Sequence, residues 1–211
     1  MAKKVVAKIV SRGLQTIITQ RLNADFTAYD GDPIEWQGET SLVFTPAREI
    51  TDLPSGNNPV WDTIEGPVTG EVKLKIYDIP LEVMPELLSV KYSIADGVCV
   101  GDNEDGTVWL GVAFDRLIKS GDSQSRNKTI LYKVRFDLPA IDVKTIEAGD
   151  NAVANLELTG HAYPVFFDKT DGSVGARTYC IVNSITNKTK YEANADSIVF
   201  PAEFTPDADA H

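Results

Sequence analysis

The chain is poor in the residues that do chemistry. Among 211 residues there are two histidines, two cysteines and two methionines. The histidines are His161 and the terminal His211, so a catalytic triad has to recruit His161. No HExxH, GxSxG, GxGxxG or P-loop pattern occurs, which removes the common zinc, serine-hydrolase, dinucleotide and nucleotide motifs. Cys99 and Cys180 form neither a CxxC nor a metal cluster, and read as reduced, partly buried thiols; one disulfide between them stays open. Asp102-Asn103-Glu104-Asp105-Gly106 has the composition of a calcium loop without its spacing or closing glutamate, and reads as a turn. Abundant carboxylates without a constellation point to no enzyme, no cofactor and no metal.

Long apolar runs are missing too. The run behind Lys3 and Lys4 is broken by Lys8, too short for a signal peptide or a membrane span. The expectation is synthesis in a cytoplasm. Basic charge is scarce, with 20 Lys and Arg against 31 Asp and Glu, for a net charge of −11. That disfavours nucleic-acid binding through counterion release. An acidic surface either aids solubility or keeps a polyanion from sticking while it passes.

What is present is strand pattern. Hydrophobic content of 43% supports a real core. Gln15 to Leu22 reads as a first strand behind an arm, Met1 to Arg12. Trp36 to Pro46 alternates, with Leu42 and Phe44 on one side and Val43 and Thr45 on the other. Gly70 to Ile79 sets Val72, Leu74 and Ile76 against Glu71, Lys73 and Lys75. Val108–Leu117 and Thr129–Leu138 read as an antiparallel pair, with Gly121–Asn127 between them as a polar loop. Ala152–Ala162 turns Leu156 and Leu158 inward and Glu157, Thr159 and His161 outward. One helix is expected from near Pro80, capped by Asp78 and kinked or restarted at Pro85, its stripe of Leu81, Met84, Leu87 and Leu88 packed on a sheet. Thr178–Ile185 reads as a further strand, Ser197–Phe200 as a possible one, and Pro201–His211 as an extended acidic tail.

Ala47 to Thr69 breaks the pattern. It holds Pro54, Pro59 and Pro67 with Gly56 and Gly66, and no apolar period survives. It reads as a long inter-strand loop of 47–69, and a loop of this length is usually functional. Ile50, Leu53, Val60, Trp61 and Ile64 are apolar groups that need a cover, supplied either by a partner or by the loop folding back on its own domain.

Gly106 to Val165 resembles the major tail proteins of siphophages, the tail-tube subunits. The residues that carry the likeness are Val108-Trp109-Leu110-Gly111-Val112-Ala113-Phe114, then Leu131-Tyr132-Lys133-Val134-Arg135-Phe136. Ile146-Glu147-Ala148-Gly149-Asp150 follows, before a strand ending Leu158-Thr159-Gly160. Leu81 to Leu88 resembles the family's short helix. The likeness spans about Leu14 to Phe167 and rests on order and spacing rather than on one sharp motif. It implies a mainly β fold, a β-sandwich or barrel-like tail-tube domain over 13–167 with one flanking helix. Residues 1–12 would be an arm, 168–200 additional strands of uncertain placement, and 201–211 a tail. It also implies stacked, hexameric rings around a DNA-conducting lumen in a virion, assembled in the host cytoplasm. The loop would reach the neighbouring ring through Ile50, Leu53, Val60, Trp61 and Ile64. The implied partners are further copies of the chain, the tape-measure protein, and the tail terminator and distal tail proteins; duplex DNA would pass without specific binding. From the alternation, Glu71, Lys73, Lys75, Lys133, Arg135, Asp137, Glu157 and Thr159 are the lumen-facing candidates. They mix both signs of charge. Two alternatives stand beside this reading: a carbohydrate-binding or adhesive β-sandwich, and a capsid-decorating or neck protein.

Overall fold

The computed structural model describes residues 9–36, 39–55, 58–77, 79, 83–88, 90–93, 95–101, 107–120, 123–138 and 156–202. In chain order the elements are β1 (Ile9–Arg21), β2 (Ile34–Trp36), β3 (Glu39–Ser55), β4 (Asn58–Ile76), α1 (Met84–Leu87), β5 (Lys91–Ser93) and β6 (Val98–Val100). There follow β7 (Leu110–Ser120), β8 (Ser123–Phe136), β9 (Leu156–Tyr163), β10 (Val165–Asp168), β11 (Val174–Arg177), β12 (Tyr179–Asn183) and α2 (Lys188–Ala193). The fold is mainly β, as the alternation predicts. One eight-stranded sheet runs β2-β1-β7-β8-β9-β4-β3, and β12 pairs with β8 off that path. Every pairing in it is antiparallel.

The sheet curls. Ile17, Trp36, Val112, Val134, Leu158 and Leu74, drawn from six different strands, share one buried cluster, joined by Leu42 of β3. A flat sheet of seven strands cannot bring residues from both ends into one cluster. β1 and β3 also approach each other across the curl. Leu87 and Leu88 at the end of α1 fill this interior, with Met84 beside them. Met84, Leu87 and Leu88 of the predicted stripe therefore pack in the core, while Leu81 lies outside the described residues. The helix is shorter than expected: it starts at Met84, Pro85 sits in its first turn, and its N-cap Val83 makes no side-chain cap bond. Pro85 thus sits in the first turn rather than kinking the helix, as suits a ring that lacks an N–H where none is needed. Asp78 and Pro80 lie outside the described residues.

The opposite face is covered by the C-terminal region. Val165, Val182 and Ile198 pack on Leu22, Ala113, Ile130 and Tyr132 in a second buried cluster. β8 serves two neighbours along one edge. Its Lys133–Phe136 end pairs with β9 and its Asn127–Leu131 end with β12. Residues 168–200 thus supply strands and a strap to the same body, together with a second helix, α2, that the sequence reading did not foresee. Ser197–Phe200 is irregular rather than a strand. The strap is tied by Ile198 N–H donating to Gln20 Oε1 at 2.9 Å and Arg177 Nη1 donating to the Ala202 carbonyl at 2.7 Å.

Two expected loops are strands. Residues 47–55 and 58–69 are the outer part of a hairpin of β3 and β4, paired from Glu39↔Ile76 to Ser55↔Asn58. Residues 123–127 are the start of β8, with Ser120 paired to Ser123. The first ribbon is exposed on both faces over most of its length, so no burial imposes a two-residue period on its sequence; the second is polar throughout and carries no apolar period to read. Ile9–Arg12, expected as part of an arm, pairs with β7.

Candidate functional site

Two surfaces stand out by position: a charged sheet face and the projecting hairpin. The register brings all eight lumen-facing candidates onto one face. Lys73 lies opposite Thr159, Lys75 opposite Glu157, and Glu71 opposite His161. Arg135 in turn lies opposite His161, and Asp137 N–H donates to the Thr159 carbonyl at 2.8 Å. The alternate residues Val72, Leu74, Ile76, Val134, Phe136 and Leu158 are buried on the other side. β8 keeps this order despite a shift beside Leu110, where Leu131 and Val134 both face the curl interior.

Close strand approach here needs glycine. A Cβ on Gly160 would meet Phe136 Cδ1 at 2.8 Å and press on the Arg135 carbonyl. The Thr-Gly ending quoted above is thus a backbone requirement of the β8–β9 pairing. Gly70 is similar, with the Phe44 ring 2.5 Å from where a Cβ would stand.

The cations on this face are occupied. Lys73 Nζ is 3.2 Å from Glu71 Oε1, and Lys75 Nζ is 3.0 Å from Glu157 Oε2. Arg135 Nη2 is 3.8 Å from Asp137 Oδ1. These pairs are half exposed, so each contributes at most about 1 kcal/mol to stability. Lys133 is held differently. Its ammonium lies 3.5 Å from the Phe26 ring centre and 4.5 Å from that of Trp109. Phe26 meets Trp109 edge to face at 5.9 Å, and Trp109 meets Tyr163 likewise at 5.5 Å. Desolvation beneath these rings lowers the pKa of Lys133. Phe26 is the one non-glycine residue with positive φ among the described residues, at 57°. The turn that holds it there is fixed by the Asn23 side chain, which accepts from the Thr27 and Ala28 N–H groups at 2.8 and 3.2 Å. Sequence reasoning missed Phe26, since nothing in a loop phenylalanine signals a cap over a strand lysine about a hundred residues away.

The hairpin is the second surface. β9 follows β4 only from Gly70 to Ile76, so residues 46–55 and 58–69 form a two-stranded ribbon. At about 3.3 Å per residue it projects roughly 30 Å. Ile50 and Ile64 are 60% and 56% exposed, while Leu53 is half-buried. Ile50 pairs with Glu65 and Ile64 with Thr51, which puts the two isoleucines on opposite faces. Val60 and Trp61 lie on β4, but their side chains are outside the described residues. Arg48 bonds Glu65 across the ribbon, next to a register shift at Gly66 and Pro67.

Away from both surfaces lies a buried polar knot. Asp115 and Lys128, neighbours across β7 and β8, are 5% and 3% exposed. Lys128 Nζ is 3.7 Å from Asp115 Oδ2 and donates to the Asn194 carbonyl at 2.7 Å. Tyr191 of α2 donates to Asp115 Oδ2 at 2.8 Å. The knot pins α2 to the sheet, and burial beside Asp115 raises the pKa of Tyr191. Cys180 is a free, half-buried thiol, and the side chain of Cys99 lies outside the described residues. Among the described residues no group of three His, Cys, Asp or Glu side chains is placed to hold a metal. His161 is exposed, with Nε2 4.0 Å from Asp137 Oδ2. The Asp102–Gly106 turn, Ile146–Asp150 and nearly all of the acidic tail fall outside the described residues.

No protein-family model matches the chain, and no curated protein does. Among solved structures, a chain of the cryo-EM structure of the anti-feeding prophage (AFP) baseplate, 6-fold symmetrised, is similar at 12% identity and a TM-score of 0.40. The match covers 86% of this chain and 97% of that one. A likeness that distant carries no functional conclusion.

Proposed function

We propose that this chain is a structural subunit of a bacteriophage tail tube, joining copies of itself into stacked hexameric rings around a DNA-conducting lumen. The observation that carries the reading is the projecting ribbon. A two-stranded hairpin is at best marginal in water by itself. This one is long, carries two exposed isoleucines and ends the sheet at β3, whose outer edge no other strand pairs among the described residues. Edges of that kind invite pairing with another chain, and a ring of head-to-tail copies closes them all at once. The ring number and the lumen follow from the resemblance of residues 14–167, and so do the tape-measure, terminator and distal tail partners. The setting is then a virion shaft assembled in a host cytoplasm. On this reading the role is mechanical rather than catalytic, and the charged face of β8, β9 and β4 is the channel wall.

The carbohydrate-binding alternative needs an aromatic face open to a sugar ring. Trp109 is instead engaged by Phe26, Tyr163 and Lys133. Negative-stain microscopy of the concentrated protein separates the readings. Tubes are expected, and discrete rings that never stack favour a decorating or neck protein. Monomers at every concentration and salt overturn self-assembly. Thr51 and Ile64 are cross-strand partners, so Asp52–Thr63 can be replaced by an Asn-Gly turn without disturbing the body. That variant is expected to fold and not to polymerise; tubes of normal length from it refute the role given to the ribbon.

A further inference from the structure

We infer that the β8–β9–β4 face is self-neutralised, a surface that turns polyanions away although it carries four cations. Lysine and arginine on a strand face normally attract phosphate, because each contact releases a condensed counterion. Here each cation is already engaged from within the fold. Glu71 holds Lys73, Glu157 holds Lys75 and Asp137 holds Arg135. Lys133 has no carboxylate among these; the Phe26 and Trp109 rings lie over it instead. The acids sit one residue pair away on the same face, either two positions along the strand or directly across it. A phosphate that approached a cation would meet a carboxylate within the same few ångströms.

The cap on Lys133 is the part least expected of ordinary surface packing. Phe26 keeps a left-handed backbone that a bulky residue rarely adopts. Its turn is held by Asn23, and the ring it presents closes over the ammonium. The conformation has a local cost, offset by the contacts of the ring with Trp109, Lys133 and the second buried cluster and by the Phe26 N–H donating to the Asn23 carbonyl at 3.1 Å. That this face lines a channel rests on the ring reading, but the test requires only the folded monomer.

The experiment is fluorescence anisotropy of a short labelled DNA duplex titrated with full-length protein at low salt. Wild type is expected to show no saturable binding. A variant with Glu71→Gln, Asp137→Asn and Glu157→Gln loosens three cations and is expected to bind. If all three reach phosphates, its affinity falls roughly 40-fold between about 50 and 200 mM salt. A control with Asp32→Asn, Glu35→Gln and Asp168→Asn has the same net charge and leaves the face intact. It is expected not to bind, which separates the local effect from global repulsion. In the face variant, adding Phe26→Ala is expected to raise affinity further, and adding Lys133→Gln as well to abolish that gain; no change on adding Phe26→Ala counts against the cap. Circular dichroism verifies that each variant is folded. Binding by wild type, or equal behaviour of the face variant and its charge-matched control, overturns the inference. A face variant that binds DNA while wild type forms no rings supports the inference and sinks the ring reading, so the two fail separately.

Discussion

Removing Asp115 should unfasten the C-terminal region. Its carboxylate and the Lys128 ammonium are both almost fully buried, 3.7 Å apart. At that separation, with an effective dielectric near 20, their attraction is roughly 4 kcal/mol. In Asp115→Ala, Lys128 keeps the Asn194 carbonyl and the Tyr191 ring 5.1 Å away but loses its counterion. Tyr191 loses its acceptor. Breaking one side of a buried pair costs about 3–5 kcal/mol, because the remaining charge stays desolvated. Replacing both members behaves otherwise. Asp115→Leu with Lys128→Met removes both desolvation penalties and is expected to lie within about 1 kcal/mol of wild type, or above it. Asp115 Oδ1 is buried and makes no hydrogen bond among the described residues, so part of the carboxylate's own desolvation is uncompensated even in wild type. Urea unfolding followed by circular dichroism measures all three proteins, and the midpoint shift at constant slope gives the difference. The reasoning is refuted if Asp115→Ala loses less than about 1 kcal/mol, or if the double variant is as unstable as the single one.

Three further outcomes follow from the structure. Ile50→Ser with Ile64→Ser should leave folding stability within about 0.5 kcal/mol per site, since both side chains are exposed, and should abolish assembly in sedimentation and microscopy. Gly160→Ala should cost about 1–3 kcal/mol by overpacking against Phe136, a fall in melting temperature of roughly 2–12 °C for a chain of this size; an unchanged melting point counts against the β8–β9 register. Burial raises the phenol pKa of Tyr29 and of Tyr132 above the ordinary 10.0. Raised folded values favour the native state below pH 10 and lose that contribution above it, because only the unfolded phenols then ionise. Stability should therefore fall above about pH 10 by up to roughly 1.4 kcal/mol per pH unit and per tyrosine, and Tyr132→Phe should flatten the decline seen in denaturant midpoints.

The legible parts of the sequence are those where one face of a strand is buried. Val72, Leu74 and Ile76 against Glu71, Lys73 and Lys75 gave the β4 orientation directly, and Leu158 between Glu157 and Thr159 did the same for β9. The register then brought eight separately chosen residues onto one face. The ribbon of 46–55 and 58–69 was illegible for the opposite reason. With water on both sides, Ile50 and Ile64 point to different faces and no period forms, so its prolines read as loop signals although an edge tolerates them. The cap of Phe26 on Lys133 and the Asp115–Lys128 knot were hidden as well. Both join residues far apart in sequence through tertiary placement, and neither leaves a local motif.

β1 lies between β2 and β7, and Ile17 pairs with Phe114. Translation at roughly 5–20 residues per second leaves this strand without its main neighbour for about 5–20 s after it is made. During that interval Ile17 and Ile18 are open to any passing β-edge, including that of a sister molecule still on the same messenger. A chain that presents a long ribbon to the world when mature must therefore survive its own youth as an orphaned strand, and a holdase that binds residues 14–22 until β7 emerges is expected to raise its yield.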